Sequence, residues 1–121
     1  MVFYINSQKE NSSKEIAYIL KKCILHHPGR WSELIFLCIG TDRVTGDCLG
    51  PYIGQQLSHL DMKGIYVYGT LEQPVHALNL PEISRHTKSA HPDGLIPAID
   101  ASLGQKQHLG YVTIGSGALY P

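Results

Sequence analysis

The stretch Leu34, Ile35, Phe36, Leu37, Cys38, Ile39 is apolar at every position. A strand that shows one face to water alternates apolar and polar residues, so an unbroken apolar run belongs to a strand covered on both faces. That is the environment of a parallel sheet between helical layers. The preceding segment supplies one such layer. Ser12 and Glu15 have the spacing of a capping box, and Ile16, Ile19, Leu20, Cys23 and Ile24 fall on one helical face, which predicts an amphipathic helix ending near Pro28 and Gly29. Beyond the loop from Gly40 to Gly50, Pro51 suits a first helical position. Leu49, Ile53, Leu57 and Leu60 then form a packing stripe, predicting a second helix from Cys48 to Leu60.

Ile65 to Tyr68 has the β-branched and aromatic content of a second strand. Pro81 interrupts the next segment, which reads as a short helical turn at Val75 to Leu78 followed by a helix from Pro81. Leu95 to Ile99 reads as a third strand ending at Asp100, and Tyr111 to Ile114 as a fourth. The alternation predicts a doubly wound α/β fold, a three-layer α/β/α arrangement with a mainly parallel sheet. The last two strands are joined by too short a segment for a helical crossover, so that connection is a local exception or an antiparallel edge.

A length of 121 residues fits one core, and residues 1–121 read as a single α/β domain. Ten basic and ten acidic residues cancel at neutral pH, so no overall field draws in nucleic acid or an anionic membrane. The longest apolar run is far below the roughly 20 residues of a membrane span, and the N-terminus lacks the features of a signal peptide. A cytoplasmic protein is expected. Cys23, Cys38 and Cys48 are odd in number and irregularly spaced, which argues against a disulfide framework or a zinc knuckle. No helix follows the last strand, so either a second subunit of a homo-oligomer covers that face of the sheet or the chain belongs to something longer.

In an open α/β sheet, ligands bind beyond the carboxyl ends of the strands. The first strand delivers Asp42, Arg43 and Asp47 to that region, the second Thr70 and Glu72, with His76 shortly after, and the third Asp100. Asp47 and Asp100 are the candidate catalytic pair, because neighbouring carboxylates that cannot both ionise freely separate into a base and an acid. The alternatives are a helix cap for Asp47 and a turn residue for Asp100. Asp42 and Arg43 form either a solvated ion pair or a contact for a substrate carboxylate. Thr70, Glu72 and His76 are candidates for substrate contact. Asp47 and Asp100 with His76, and Glu72 on the same loop as His76, are candidates for a divalent metal such as zinc. Cys48 with His76 would suggest a thiol hydrolase, but the spacing does not place the two within reach. The Gly40 loop matches neither common phosphate-binding pattern, and its acids would repel phosphate.

The runs GTDRVTGDCLGP (Gly40 to Pro51), VYGTLEQPVHALNL (Val67 to Leu80) and AIDASLG (Ala98 to Gly104) resemble those of the YyaC-type sporulation proteins of endospore-forming bacteria, which are often called spore proteases. That family resembles germination protease and, more distantly, the hydrogenase maturation peptidases, which implies a phosphorylase/hydrolase-like α/β/α fold. In germination protease one aspartate thought to be catalytic stands in an Asp, small residue, Leu, Gly, Pro segment, matched here by Asp47 to Pro51. The other stands in Ile-Asp-Ala, matched by Ile99, Asp100 and Ala101. The resemblance thus implies a peptidase acting on a peptide or spore protein in the sporulating cell or forespore. The maturation peptidases bind nickel near the same two positions, so nickel joins zinc as a candidate metal. Other outcomes consistent with the resemblance are a non-enzymatic sporulation factor that binds a peptide or partner protein in a protease-like crevice, or a metal-binding maturation module. The family carries a further Gly-, Pro- and Val-rich stretch beyond the Gly117 region, so this chain is expected to lack a C-terminal segment.

Overall fold

The computed structural model describes residues 2–41, 43, 45–101 and 110–115. Their elements in chain order are β1 (Val2–Asn6), α1 (Ser12–Leu25), β2 (Glu33–Ile39), a 3₁₀ turn (Thr45–Asp47), α2 (Leu49–Ser58), β3 (Ile65–Tyr68), α3 (Leu80–Ala90), β4 (Gly94–Leu95), β5 (Ala98–Asp100) and β6 (Tyr111–Gly115). The fold is mixed α/β with a mainly parallel sheet, as expected. Packing separates two compact units, residues 1–29 with 103–120, and residues 30–102. Among the described residues no helix is long and apolar enough to cross a membrane.

In the first unit, β1 and β6 pair antiparallel, with Phe3 opposite Ile114 and Ile5 opposite Val112. These four residues share the inner face of the ribbon, where Ile5 and Ile114 are buried. The helix α1 packs on both strands. Two expectations are corrected here. Tyr111 to Ile114 is a strand and pairs antiparallel, one of the two outcomes expected for it, but not at the edge of the parallel sheet; its partner is β1, whose five residues are too short to declare themselves against a polar sequel. The capping box does not form either. Asn11 is the N-cap, in a left-handed conformation with φ of 68° and no side-chain cap bond, while the Ser12 hydroxyl donates instead to the Ser7 carbonyl at 3.1 Å.

The second unit is organised around β2. It pairs in parallel with β3 on one side and with β4 and β5 on the other. The third strand expected from Leu95 to Ile99 is therefore two short pieces. Pro97 has no N–H to give to a ladder, so pairing lapses there, although its carbonyl still accepts from Leu37 N at 2.9 Å. Side chains of β2 alternate between two helices. Leu37 and Ile39 form a buried cluster with Val75, against which Leu80 and Ile83 of α3 pack. Cys38, fully buried, faces α2 at Gly54. This gives the unit its α/β/α layering. Burial pushes the Cys38 thiol up to about 11, so it is a packed apolar group with no useful thiolate at neutral pH.

The helix α2 lies unusually close to the strand ends. A methyl group at Gly54 would run into the Gly69 carbonyl, and one at Gly50 into the Ile39 carbonyl. Gly69 itself has φ of 95° with its α-carbon against the Cys38 carbonyl. On the opposite face, a hydrogen-bonded chain ties α3 to the sheet. The Tyr68 hydroxyl lies 3.0 Å from His91 Nε2, and His91 Nδ1 lies 3.3 Å from a Glu33 carboxylate oxygen. With the ring proton on Nδ1, His91 donates to Glu33 and accepts from Tyr68, so both ring nitrogens of a buried imidazole have partners. The exposed Tyr66 hydroxyl also donates to Glu33, and that bond raises its pKa above the ordinary tyrosine value.

These contacts set two expectations, both read by chemical denaturation. Gly54→Ala is expected to lower stability by about 1–3 kcal/mol, the usual range for overpacking. Gly46→Ala, where an added methyl meets nothing within 4 Å among the described residues, is expected to change stability by less than about 0.5 kcal/mol.

Candidate functional site

Three short pieces of chain meet at the carboxyl end of β2. Ile39 is paired with Asp100 of β5 on one side and bridged to Val75 on the other, where β3 has already turned away. Gly40 N then donates to the Val75 carbonyl at 2.7 Å, and Thr41 N to the Asp47 carbonyl at 3.0 Å. The second bond folds the loop back, so the 3₁₀ turn delivers Asp47 to the strand end that carries Asp100. Gly40, with φ of 148°, makes room for this: a methyl there would strike the Asp47 carbonyl.

Asp47 and Asp100 line one cleft of about 170 Å³, together with Ile39, His76, Ala77, Leu80 and Ala101. Both acids are partly buried. The pKa of Asp100 is raised from the ordinary 3.8, first by desolvation and then by the negative charge of Asp47. A hydrogen bond from the Ala101 backbone opposes the shift without cancelling it. The helix-cap alternative for Asp47 is not what forms, because the N-cap of α2 is Cys48, with no side-chain cap bond.

His76 also lines this cleft. Its backbone N–H donates to Asn79 Oδ1 at 2.7 Å, and Asn79 in turn donates to the Pro74 carbonyl at 3.0 Å, which clamps the turn before α3. The Leu78 N–H donates to His76 Nδ1 at 3.3 Å. A neutral ring that accepts at Nδ1 carries its proton on Nε2 and so offers a donor rather than a metal-binding lone pair. Among the described residues no group of three His, Cys, Asp or Glu side chains is placed to hold a metal ion. The chemistry of Asp47, Asp100 and His76 in this arrangement therefore does not fit a nickel or zinc centre.

The remaining candidates are dispersed. Thr70 lines a separate, larger cleft, and its hydroxyl accepts from Gln73 N at 3.0 Å. Glu72 is exposed at the tip of that turn, and Arg43 is exposed in the loop after β2; neither lines either of these two clefts. Asp42 lies outside the described residues. Cys48 lines neither cleft, so the pairing with His76 that a thiol hydrolase would need is not supported. The polar contacts of Asn79 and Tyr68 were not legible in advance. Tyr68, Glu33 and His91 come together across 58 positions of chain, and no spacing rule announces such a set.

The family pattern described as "Protein of unknown function (DUF1256)" matches residues 4–121. The chain belongs to this family. It is also 36% identical over 118 residues to "Uncharacterized protein YyaC" of Bacillus subtilis (strain 168), an alignment that takes in 98% of this chain and 57% of that protein. The YyaC-type membership implied by the three motifs is thereby established, and the chain spans little more than half the length of this relative. No solved structure matches the chain.

The coupling of the two acids is directly measurable. Asp47→Asn is expected to lower the Asp100 pKa toward, but not fully to, its ordinary value, since desolvation persists; carboxyl-carbon NMR titration reads the shift. Because the folded chain holds the Asp100 proton to higher pH than the unfolded chain, stability should fall as pH rises from 3.8 through the raised value. Asp100→Asn should therefore have a higher Tm than the parent at neutral pH, with the gain vanishing in acid.

Proposed function

We propose that this DUF1256-family chain carries the site of a two-aspartate peptidase, a hydrolase of peptide or amide bonds. The supporting observation is the pairing of Asp47 and Asp100 in one cleft, where the charge of the first raises the pKa of the second. Two acids in such a relation divide their roles. Asp47, ionised, takes a proton from water as the water oxygen bonds to the substrate carbonyl carbon. Asp100, protonated, gives its proton to the carbonyl oxygen. Collapse of the tetrahedral species breaks the C–N bond, the leaving nitrogen takes up the proton that Asp47 had accepted, and a hydroxyl of the new carboxyl group returns its proton to Asp100. The Nε2–H of His76 is a further donor lining the cleft for the substrate carbonyl. The resemblance of the Asp47 and Asp100 segments to germination protease points to a peptide bond in a spore protein as the target, in the cytoplasm of the sporulating cell or forespore.

A second reading, binding of a peptide or partner without turnover, draws on Leu78. Its side chain is 91% exposed, next in sequence to Ala77 of the cleft lining, and offers an apolar contact to a partner.

The experiment is turnover of a casein or spore-protein digest by a full-length family protein and its variants. Asp47→Asn and Asp100→Asn are each expected to lower kcat by about 10²–10⁴-fold with little change in KM. The alkaline limb of the pH profile should follow loss of the Asp100 proton. Full turnover by both variants would reject the hydrolase, and bound but uncleaved peptide with the parent protein would favour the second reading.

A further inference from the structure

The aspartate cleft is too small for a whole substrate. At about 170 Å³ it lies well below the 300–1,000 Å³ typical of ligand sites, and only a peptide group with its immediate neighbours fits. Beside it is a second cleft of about 440 Å³, lined by residues that include Tyr68, Thr70, Gln73, Val75, Asn79 and Ile83. His76 lines both. The two clefts thus adjoin at one side chain on the same unit of the fold.

The walls of the larger cleft are held from behind. Tyr68 is tied through His91 to Glu33. The turn from Thr70 to Gln73 is closed twice, by Thr70 N to the Gln73 carbonyl at 3.1 Å and by Gln73 N to the Thr70 hydroxyl at 3.0 Å. Leu71 N donates to Gln55 of α2 at 3.3 Å, which fastens the same turn from the other side. Asn79 clamps the segment from Pro74 to His76. A cleft whose lining is fixed in this way loses little freedom on binding.

Its chemistry is neutral. Among the described residues that line it there is no Lys, Arg, Asp or Glu; its apolar lining residues are Val67, Pro74, Val75 and Ile83, with Tyr68 beside them. Burying a charged group there would leave it without a counter-ion, at a heavy desolvation penalty. We propose that this cleft is the side-chain subsite of the substrate, and that it takes a large uncharged side chain adjacent to the bond presented to Asp47 and Asp100. The assignment rests on the hydrolase reading for its substrate class, but the binding itself does not depend on turnover.

The test is NMR titration of the ¹⁵N-labelled chain with the N-acetyl amides of Phe, Leu, Lys and Glu. The Phe and Leu probes should shift the amides of Thr70, Gln73, Val75, Asn79 and Ile83, and the Lys and Glu probes should bind at least about tenfold more weakly. Gln73 is exposed and gives only backbone atoms to the turn, so its side chain can be changed with the fold intact. Gln73→Trp should fill the mouth and abolish the shifts, and Gln73→Glu should bring the Lys probe up to the affinity of the Leu probe. Shifts confined elsewhere, equal affinity for charged and uncharged probes, or indifference to Gln73→Trp would overturn the assignment. Binding and turnover measured side by side on the parent protein separate the two proposals: selective binding without turnover rejects the hydrolase and leaves the subsite standing. Turnover with no selective binding does the reverse.

Discussion

The site depends on how closely α2 lies against the carboxyl ends of β2 and β3. Gly50 and Gly54 place the helix backbone where side chains would otherwise hold it away, against the carbonyls of Ile39 and Gly69. Asp47 precedes that helix by one short step, so the depth of the helix sets the position of the carboxylate. Because Thr41 N is bonded to the Asp47 carbonyl, the loop between strand and helix cannot relax outward independently. A one-methyl change under α2 would therefore act on the acid pair as well as on stability, through the same contact.

The central strand carries the other half of the arrangement. Ile39 is flanked by Asp100 and Val75, so two different crossovers end beside one residue. This is the place where ligands gather in open α/β sheets, since the loops leaving adjacent strands diverge there. Topology brings both acid-bearing segments to this end of the sheet, and the local bonds of Gly40, Thr41 and Asn79 then fix their surroundings.

Much of this was legible in the sequence, for identifiable reasons. The unbroken apolar run at Leu34 to Ile39 reports burial on both faces, which is a property of the central strand alone, and the sheet followed from it. Asp47 and Asp100 were legible because strand ends can be located from the end of an apolar run. Strand β1 was not, because Val2 to Asn6 is stabilised by a partner more than a hundred residues away, and nothing local marks that pairing. Splitting of the third strand at Pro97 could have been anticipated from the missing N–H. The orientation of His76 could not, since it follows from a single bond with Leu78 N that reverses the ring's role from ligand to donor. Glu72 and Arg43 are a different case. Sequence adjacency to a strand end put them in the list of contacts, whereas the turns that carry them point their positions to solvent.

The two clefts differ in a way that gives His76 a definite place. On one side are two carboxylates whose mutual repulsion the fold tolerates, and on the other a surface without formal charge. Holding Asp100 in a setting that raises its pKa works against stability at neutral pH, and a chain selected only for folding would have a neutral residue there. The neighbouring uncharged lining makes the opposite choice, although it is partly polar. Contrasting environments on either side of one histidine suit a ligand with a polarised group to be held and an uncharged body to be buried. A peptide carbonyl with a bulky neutral side chain beside it has that combination, whereas a bare metal ion or a phosphate has only the charged part.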